Sequence, residues 1–291
     1  MEFAFTQEQE ELRREARAFL EANPEAPLSA LRELGWLGVS VPEERGGGGL
    51  SFVDEGILFE EAGRALYAGP FLTTAVVLPA LPELDEQAWS VEVDGLVPHL
   101  DAVDRVLRED MTAVPAEGET LATVDETRPF GRLGHVAQSH DVDGDFEPVR
   151  LRLLAALALE AVGVAQKALD LGVEYVSQRE QFGKKIGTYQ AVSHPLADTY
   201  VETELARSLA YWAAWCVAEN DEQAPVAVAA AKAQAAETAV AACERSIQVH
   251  GGIGFTWEHV LHRYYKRAQW IDAFGGHAAV HRKVVAAALL D

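Results

Sequence analysis

The stretch SQREQFGKKIGTYQ, residues 177–190, decides how the chain is read. It closes one long apolar helical pattern, about 150–178, and opens another, about 188–219. Two more follow, about 225–249 and 257–289, with breaks at Phe182–Gly187, Asn220–Pro225 and Gly251–Gly254. Long helices joined by short breaks predict an antiparallel four-helix bundle over 147–291. Leu153, Leu157, Glu160 and Val164 share one face of its first helix. Arg179 falls where that helix ends, and Gly183 and Gly187 permit a sharp turn after it. Its guanidinium offers a rigid fork to a phosphate, or simply answers the helix dipole. Phe182 offers a flat face to a ring system.

A second glycine-rich stretch, QVHGGIGF, occupies residues 248–255. No strand precedes it, so the dinucleotide-binding reading of a glycine-rich loop fails. Gly251, Gly252 and Gly254 let a backbone approach a ligand closely, and they equally suit a tight turn between helices. Gln248, just ahead of them, is placed to reach a polar ligand.

Toward the N-terminus the pattern is again helical. Phe5, Leu12, Ala16, Phe19 and Leu20 recur at helical spacing, and Thr6 with Gln9 forms a capping-box pattern. Pro24 and Pro27 end that helix, and a second runs from Leu28 to Leu34 and stops at Gly35. Gly46 to Gly49 mark an exposed turn; a plain loop and a ligand-touching loop both fit. Helical pattern resumes over Val53–Leu66. Residues 81–146 change character, with many Asp, Glu, Pro and Gly and short alternating runs. VEVDGLV and TLATVDE read as strands, too few for a large sheet. The expectation is a mainly α chain: an N-terminal helical domain over 1–80, a reduced β segment over 81–146, and the bundle.

Composition limits the function. The 291 residues carry 24 Lys and Arg against 46 Asp and Glu, a net charge of −22, which argues against nucleic acid as a partner. Hydrophobic residues make up 49%, enough for a real core. Two cysteines, Cys216 and Cys243, cannot form a disulfide framework and suit a reducing cytoplasm. The N-terminus is acidic and amphipathic, unlike a secretory signal. Lys232, Gln234 and Glu237 interrupt the apolar run at 224–242, against a membrane span. His259 and His262, like His277 and His281, have spacings that could face one metal, but no general-base Glu stands between the latter pair. Buried or interfacial histidines are the reading, with no metal expected. Trp212, Trp215, Trp257 and Trp270 read as packing or interface residues.

Taken together, RxQFGKxIGxxQAVxHxLAD from Arg179 and QxHGGxGF from Gln248 resemble the C-terminal domain of the acyl-CoA dehydrogenases. LRELGWLGVSVPEERGGGGLSFVDEGILFEEAGRAL resembles that family's N-terminal helical domain. The resemblance implies an oxidoreductase of lipid metabolism, a flavoprotein that uses FAD to desaturate an acyl-CoA between its α and β carbons. It implies that Arg179, Phe182, Gln190, Gln248, Gly251 and Gly252 hold the ADP half of FAD across a subunit interface. An electron-transfer flavoprotein is the implied acceptor.

The departures from the family are as informative. The strands that wall the flavin, V-T-E-P-like and W-I-T-N-like, have no counterpart in 81–146; VDETRPF at 124–130 resembles only later strands of that domain. The family's catalytic Glu falls on Gly275 or, in some members, on Leu153, so neither position is a carboxylate. Asp272 and Glu160 are the nearest substitutes; Glu160 reads as a partnered helix charge, Asp272 as a cap of the last helix or a partner of Arg267 or Lys266. The arrangement resembles the acyl-CoA dehydrogenases of actinobacterial steroid breakdown, two-plus-two heterotetramers in which one subunit keeps the full middle domain and the Glu. The implied role is the other subunit, acting on a steroid-derived CoA thioester. A self-sufficient homomer with Asp272 or Glu160 as base, and a scaffold without FAD, are the alternatives.

Overall fold

A computed structural model describes residues 4–135 and 138–290. The mainly helical class expected from sequence is observed. Helix α1 (Gln7–Ala22) starts at Thr6, whose hydroxyl and the Gln9 side chain complete the expected capping box. After α2 (Leu28–Glu33) the chain reverses at Gly35, and α3 (Phe52–Ala65) starts from a second capping box, Ser51 with Asp54. The glycine run between them is a folded turn. The amides of Gly48, Gly49 and Leu50 donate to the carbonyls of Gly38, Val41 and Val39. A Cβ on Gly47 would lie 2.2 Å from the Val41 carbonyl oxygen, so close backbone packing explains that glycine. Helix α4 (Phe71–Val77) is buried along its whole length.

Residues 81–146 hold more β structure than the two strands expected. Among the described residues, seven short strands form two sheets there. In one, β1 (Trp89–Val91) pairs parallel with β3 (Arg105–Leu107), which pairs antiparallel with β4 (Thr112–Pro115), and β4 with β7 (His140–Asp141). In the other, β6 (Phe130–Leu133) lies between β2 (Val97–Pro98) and β5 (Gly118–Leu121). VEVDGLV is therefore not one strand. Asp94 and Gly95, at φ 50° and 72°, form a two-residue reversal, bridged by Val93 and Leu96, between β1 and β2. TLATVDE is strand only through Leu121; its Asp125 turns inward and is buried.

The long helices are α5 (Phe146–Gln178), α6 (Gln190–Ala218) and α7 (Ala224–His250). α7 packs against both others, and also against α8 (Leu261–Ala273) and α9 (Ala278–Leu290). The pattern at 257–289 thus corresponds to two helices. Gly275 and Gly276, at φ 71° and 103°, break it after Phe274. α3 packs on α5, so the N-terminal helices and the bundle share one large core, and α4 carries that core to β1.

A buried ion network joins the β segment to the bundle. Glu160 of α5 accepts from both terminal guanidinium nitrogens of Arg128, at 2.6 and 2.7 Å, and from Arg267 of α8 at 2.8 Å. Arg267 also donates to Asp125 at 2.5 Å. Each of the four side chains is at least 95% buried. Two cations and two anions balance, which is what makes charges at this depth tolerable.

Candidate functional site

The two segments singled out from sequence meet at one end of the bundle. Arg179 caps the C-terminus of α5. Beyond it, β8 (Glu180–Gln181) and β9 (Lys184–Lys185) form a two-residue hairpin. Phe182 and Gly183 make its turn, at φ 53° and 79°. A bulky residue at positive φ is strained, and here its ring is 93% exposed. An aromatic held in that conformation with its face to solvent fits stacking on a flat group. The hairpin is anchored by Ile186 N–H donating to the Arg179 carbonyl at 2.8 Å.

Two residues that sequence reasoning missed bring the second segment alongside. Tyr175, in the last turn of α5, stacks on His250, the last residue of α7, at 4.2 Å and 25°. His250 is buried and its Nδ1 lies 2.7 Å from the Ser246 carbonyl oxygen. Its side chain thereby fixes the backbone just before Gly251. Gly251 itself stands at φ 63°, ψ −139°, open essentially only to glycine. Gly252 is different: a Cβ there would meet no atom of this chain within 4 Å. Gly254 is buried and packs too close to the Ile247 carbonyl for a side chain. Arg179, Gln190 and Gln248 are exposed, and their side chains make no hydrogen bond or ion pair among the described residues. The region therefore presents a guanidinium, two amides, bare glycine backbone and an aromatic face. That set suits the ADP half of a dinucleotide: phosphate on Arg179, hydroxyls on the amides, close approach at Gly252.

The positions expected for a base lie elsewhere in the fold. Leu153 is fully buried and lines a space with Leu157, His99, Arg128, Trp270 and Phe274 that leaves no room for a water molecule. Phe130 stacks on Trp270 at 4.8 Å, and Phe274 packs against both. A Cβ on Gly275 would come within 2.8 Å of Leu154 Cδ2. Leu153 thus has no free space around it, and at Gly275 the φ of 71° strains any side chain, a carboxylate included.

The substitutes fare no better. Both Glu160 oxygens are taken by guanidiniums. Burial pushes its carboxyl up, but Arg128 and Arg267 outweigh that and hold it below its ordinary value. Glu160 is thus a partnered charge, as expected from sequence, with neither oxygen free to take a proton. Asp272 neither caps α9 nor pairs with Arg267 or Lys266. Its Oδ2 lies 2.7 Å from His277 Nδ1, and its Oδ1 is buried without a partner among the described residues. Arg267 belongs to the buried network, and Lys266 sits over the Trp257 ring near Glu126. Among the described residues no three His, Cys, Asp or Glu side chains gather as metal ligands, and no helix is long and apolar enough to cross a membrane. His281 Nε2 is bound to the Gly276 carbonyl at 3.0 Å.

Comparison with known proteins bears on the family. Residues 6–83 match the acyl-CoA dehydrogenase N-terminal domain and residues 152–290 the acyl-CoA dehydrogenase C-terminal domain. The chain is 35% identical to the acyl-CoA dehydrogenase IpdE2 of Mycobacterium tuberculosis, over 81% of this chain and 77% of that one. It is 37% identical to the acyl-CoA dehydrogenase FadE34 of the same organism, over 92% of this chain but only 43% of that one. Among solved structures, the Tcur3481–Tcur3483 steroid ACAD superposes with a TM-score of 0.82 at 26% identity, covering 97% of this chain and 98% of that one. Matches at both ends of the chain, together with the arginine–phenylalanine hairpin and the glycine turn side by side, establish that this chain belongs to the acyl-CoA dehydrogenase family.

Proposed function

We propose that the chain is the nucleotide-holding subunit of a heteromeric, FAD-dependent acyl-CoA dehydrogenase. One observation carries the reading. Arg179, Gln190 and Gln248 stand exposed with no side-chain partner among the described residues, while neither base position carries a carboxylate: Leu153 is packed shut, and Gly275 holds a φ of 71° that strains any side chain. In this reading Arg179 holds the pyrophosphate and Phe182 stacks on a flat ring. Gln190 and Gln248 bind ribose or phosphate oxygens, and the Gly251–Gly252 backbone comes up against the nucleotide. Bound FAD supplies the acceptor for the hydride that leaves the β carbon. A partner subunit of the same family supplies the flavin wall and the glutamate that removes the α proton. The assembly is a two-plus-two heterotetramer with one FAD per heterodimer. The substrate class we assign is a CoA thioester of a bulky, steroid-derived acid, by analogy with the steroid ACAD that shares this fold. An electron-transfer flavoprotein is the acceptor assigned.

Visible spectra separate the possibilities. The chain is purified alone, and together with the product of a neighbouring acyl-CoA dehydrogenase gene. Flavin absorbance and thioester oxidation only in the mixture are expected. A yellow chain that oxidises a thioester unaided would make it a self-sufficient homomer. Absence of flavin from both samples would make it a scaffold.

A further inference from the structure

Lys232 of α7 has no part in the nucleotide surface, yet it is fully buried. Its ammonium donates to the Ile271 carbonyl at 2.7 Å, with the carbonyls of Gly276 at 3.3 Å and Asp272 at 3.5 Å. Two of these carbonyls end α8, and the third lies just before α9. One side chain therefore ties both ends of the α8–α9 turn. His281 of α9 adds a second donor to the Gly276 carbonyl. Between these anchors sits Phe274, 3% exposed, against Phe130 and Trp270. The turn's own backbone contributes one ordinary bond, Phe274 N–H to the Trp270 carbonyl at 3.0 Å, and a longer 3.4 Å contact from Gly276 N–H to the Ala273 carbonyl. A Met would fill much the same space without desolvating a polar group, so what the lysine nitrogen adds, as ammonium or as neutral amine, is its hydrogen bonds to the carbonyls.

We propose that Lys232 is the positioning residue that fixes the α8–α9 turn, and with it Phe274, so that this chain's acyl space stays shut. The inference rests on the heteromer reading, in which the thioester is bound by the partner. The titratable groups around Lys232 are Asp272 of α8, bonded to His277 of the turn, and His281 of α9, on which Arg150 of α5 also acts. Burial lowers the lysine to about 8, against a weaker opposing effect of Asp272. His281, lowered to about 4 by burial, stays neutral above that value. Opening the turn returns the lysine to water and to its ordinary proton affinity. Above pH 8 opening must therefore take up a proton, and it becomes harder as pH rises. A hold that did not involve the buried lysine would show no such trend.

Hydrogen exchange of residues 271–277, followed by mass spectrometry on the full chain from pH 7 to 10, tests this. After correction for intrinsic exchange, protection is expected to be level up to about pH 8 and then to rise by up to roughly tenfold per unit. Lys232→Met should lower protection at least tenfold at pH 9 and remove the slope. Level wild-type protection across the range, which needs no variant, overturns the proposal, as does wild-type behaviour in Lys232→Met. Equilibrium dialysis with decanoyl-CoA adds a second reading. Uptake by Lys232→Met and not by wild type supports closure by the turn, and no uptake by a variant whose turn has opened refutes it. Uptake by the wild-type chain instead refutes the heteromer reading and leaves the exchange result to decide the role of Lys232.

Discussion

Gly251 needs its missing side chain for conformation, whereas Gly252, one residue on, has open space where a Cβ would go. That difference gives a clean test of the nucleotide surface. Gly252→Ala should leave thermal stability within about 1 kcal/mol of wild type, since no atom of this chain is crowded. FAD retention by the assembled enzyme should still fall at least tenfold, because the methyl group meets the nucleotide. Arg179→Ala removes a charged hydrogen bond and should weaken retention by ~1.5–3 kcal/mol, again without unfolding. Both are read as the flavin-to-protein ratio after dilution and desalting. Retention like wild type in both variants would move the nucleotide elsewhere. At this scale the sequence was legible for placement: an Arg at a helix end, a Phe before a Gly in a turn, adjacent glycines between helices. Tyr175 and His250 were not legible, because a stack between two helix ends has no local signature. Lys232 was visible only as an interruption of an apolar run; its three carbonyl partners come from elements the sequence does not juxtapose.

The elements divide in the same way. α1, α3, α5, α6 and α7 follow from apolar periodicity, α1 also from its capping box, and their ends fall close to the expected ones. The β segment does not. In VEVDGLV the alternation of apolar residues masks the Asp94–Gly95 turn, the stronger signal for a reversal. The break between α8 and α9 was hidden because apolar periodicity continues on both sides of Gly275 and Gly276. The loop between β5 and β6 was least legible of all. Its Asp125 and Arg128 look like surface charges until α5 and α8 bring Glu160 and Arg267 to them. That buried network makes a definite prediction for Glu160→Gln. Two guanidiniums lose their shared anion, so the variant should be less stable by ~3–5 kcal/mol in denaturant unfolding. Turnover per folded complex should stay within a few-fold of wild type. A thousandfold drop in turnover with stability intact would instead make Glu160 the base.

For the whole molecule, a charge of −22 makes acidification a searching probe, because neutralising carboxylates relieves repulsion while other groups pull the opposite way. His281 is lowered to about 4, chiefly by burial, with Lys232 adding to the effect, and His99 is pushed well below its ordinary value by burial beside Arg128 and Arg267. Between about pH 6.5 and 4 the unfolded chain binds protons at these sites and the native chain does not. Native stability must therefore fall as pH drops through that window. Asp125 and Glu160 act lower down. Both are held below their ordinary values, Arg267 and its neighbours outweighing the effect of burial, so their contribution persists through the upper window and is lost as pH falls through their native pKa values. The two losses can be separated by His281→Gln, which keeps a donor for the Gly276 carbonyl but cannot titrate. Its melting temperature should decline less than wild type between pH 6.5 and 4, and then fall in parallel with wild type at lower pH. Identical curves for the two proteins down to pH 4 would show that His281 takes up its proton equally in the native and unfolded states, and that the α8–α9 turn is not the dry, closed corner on which the positioning role of Lys232 depends.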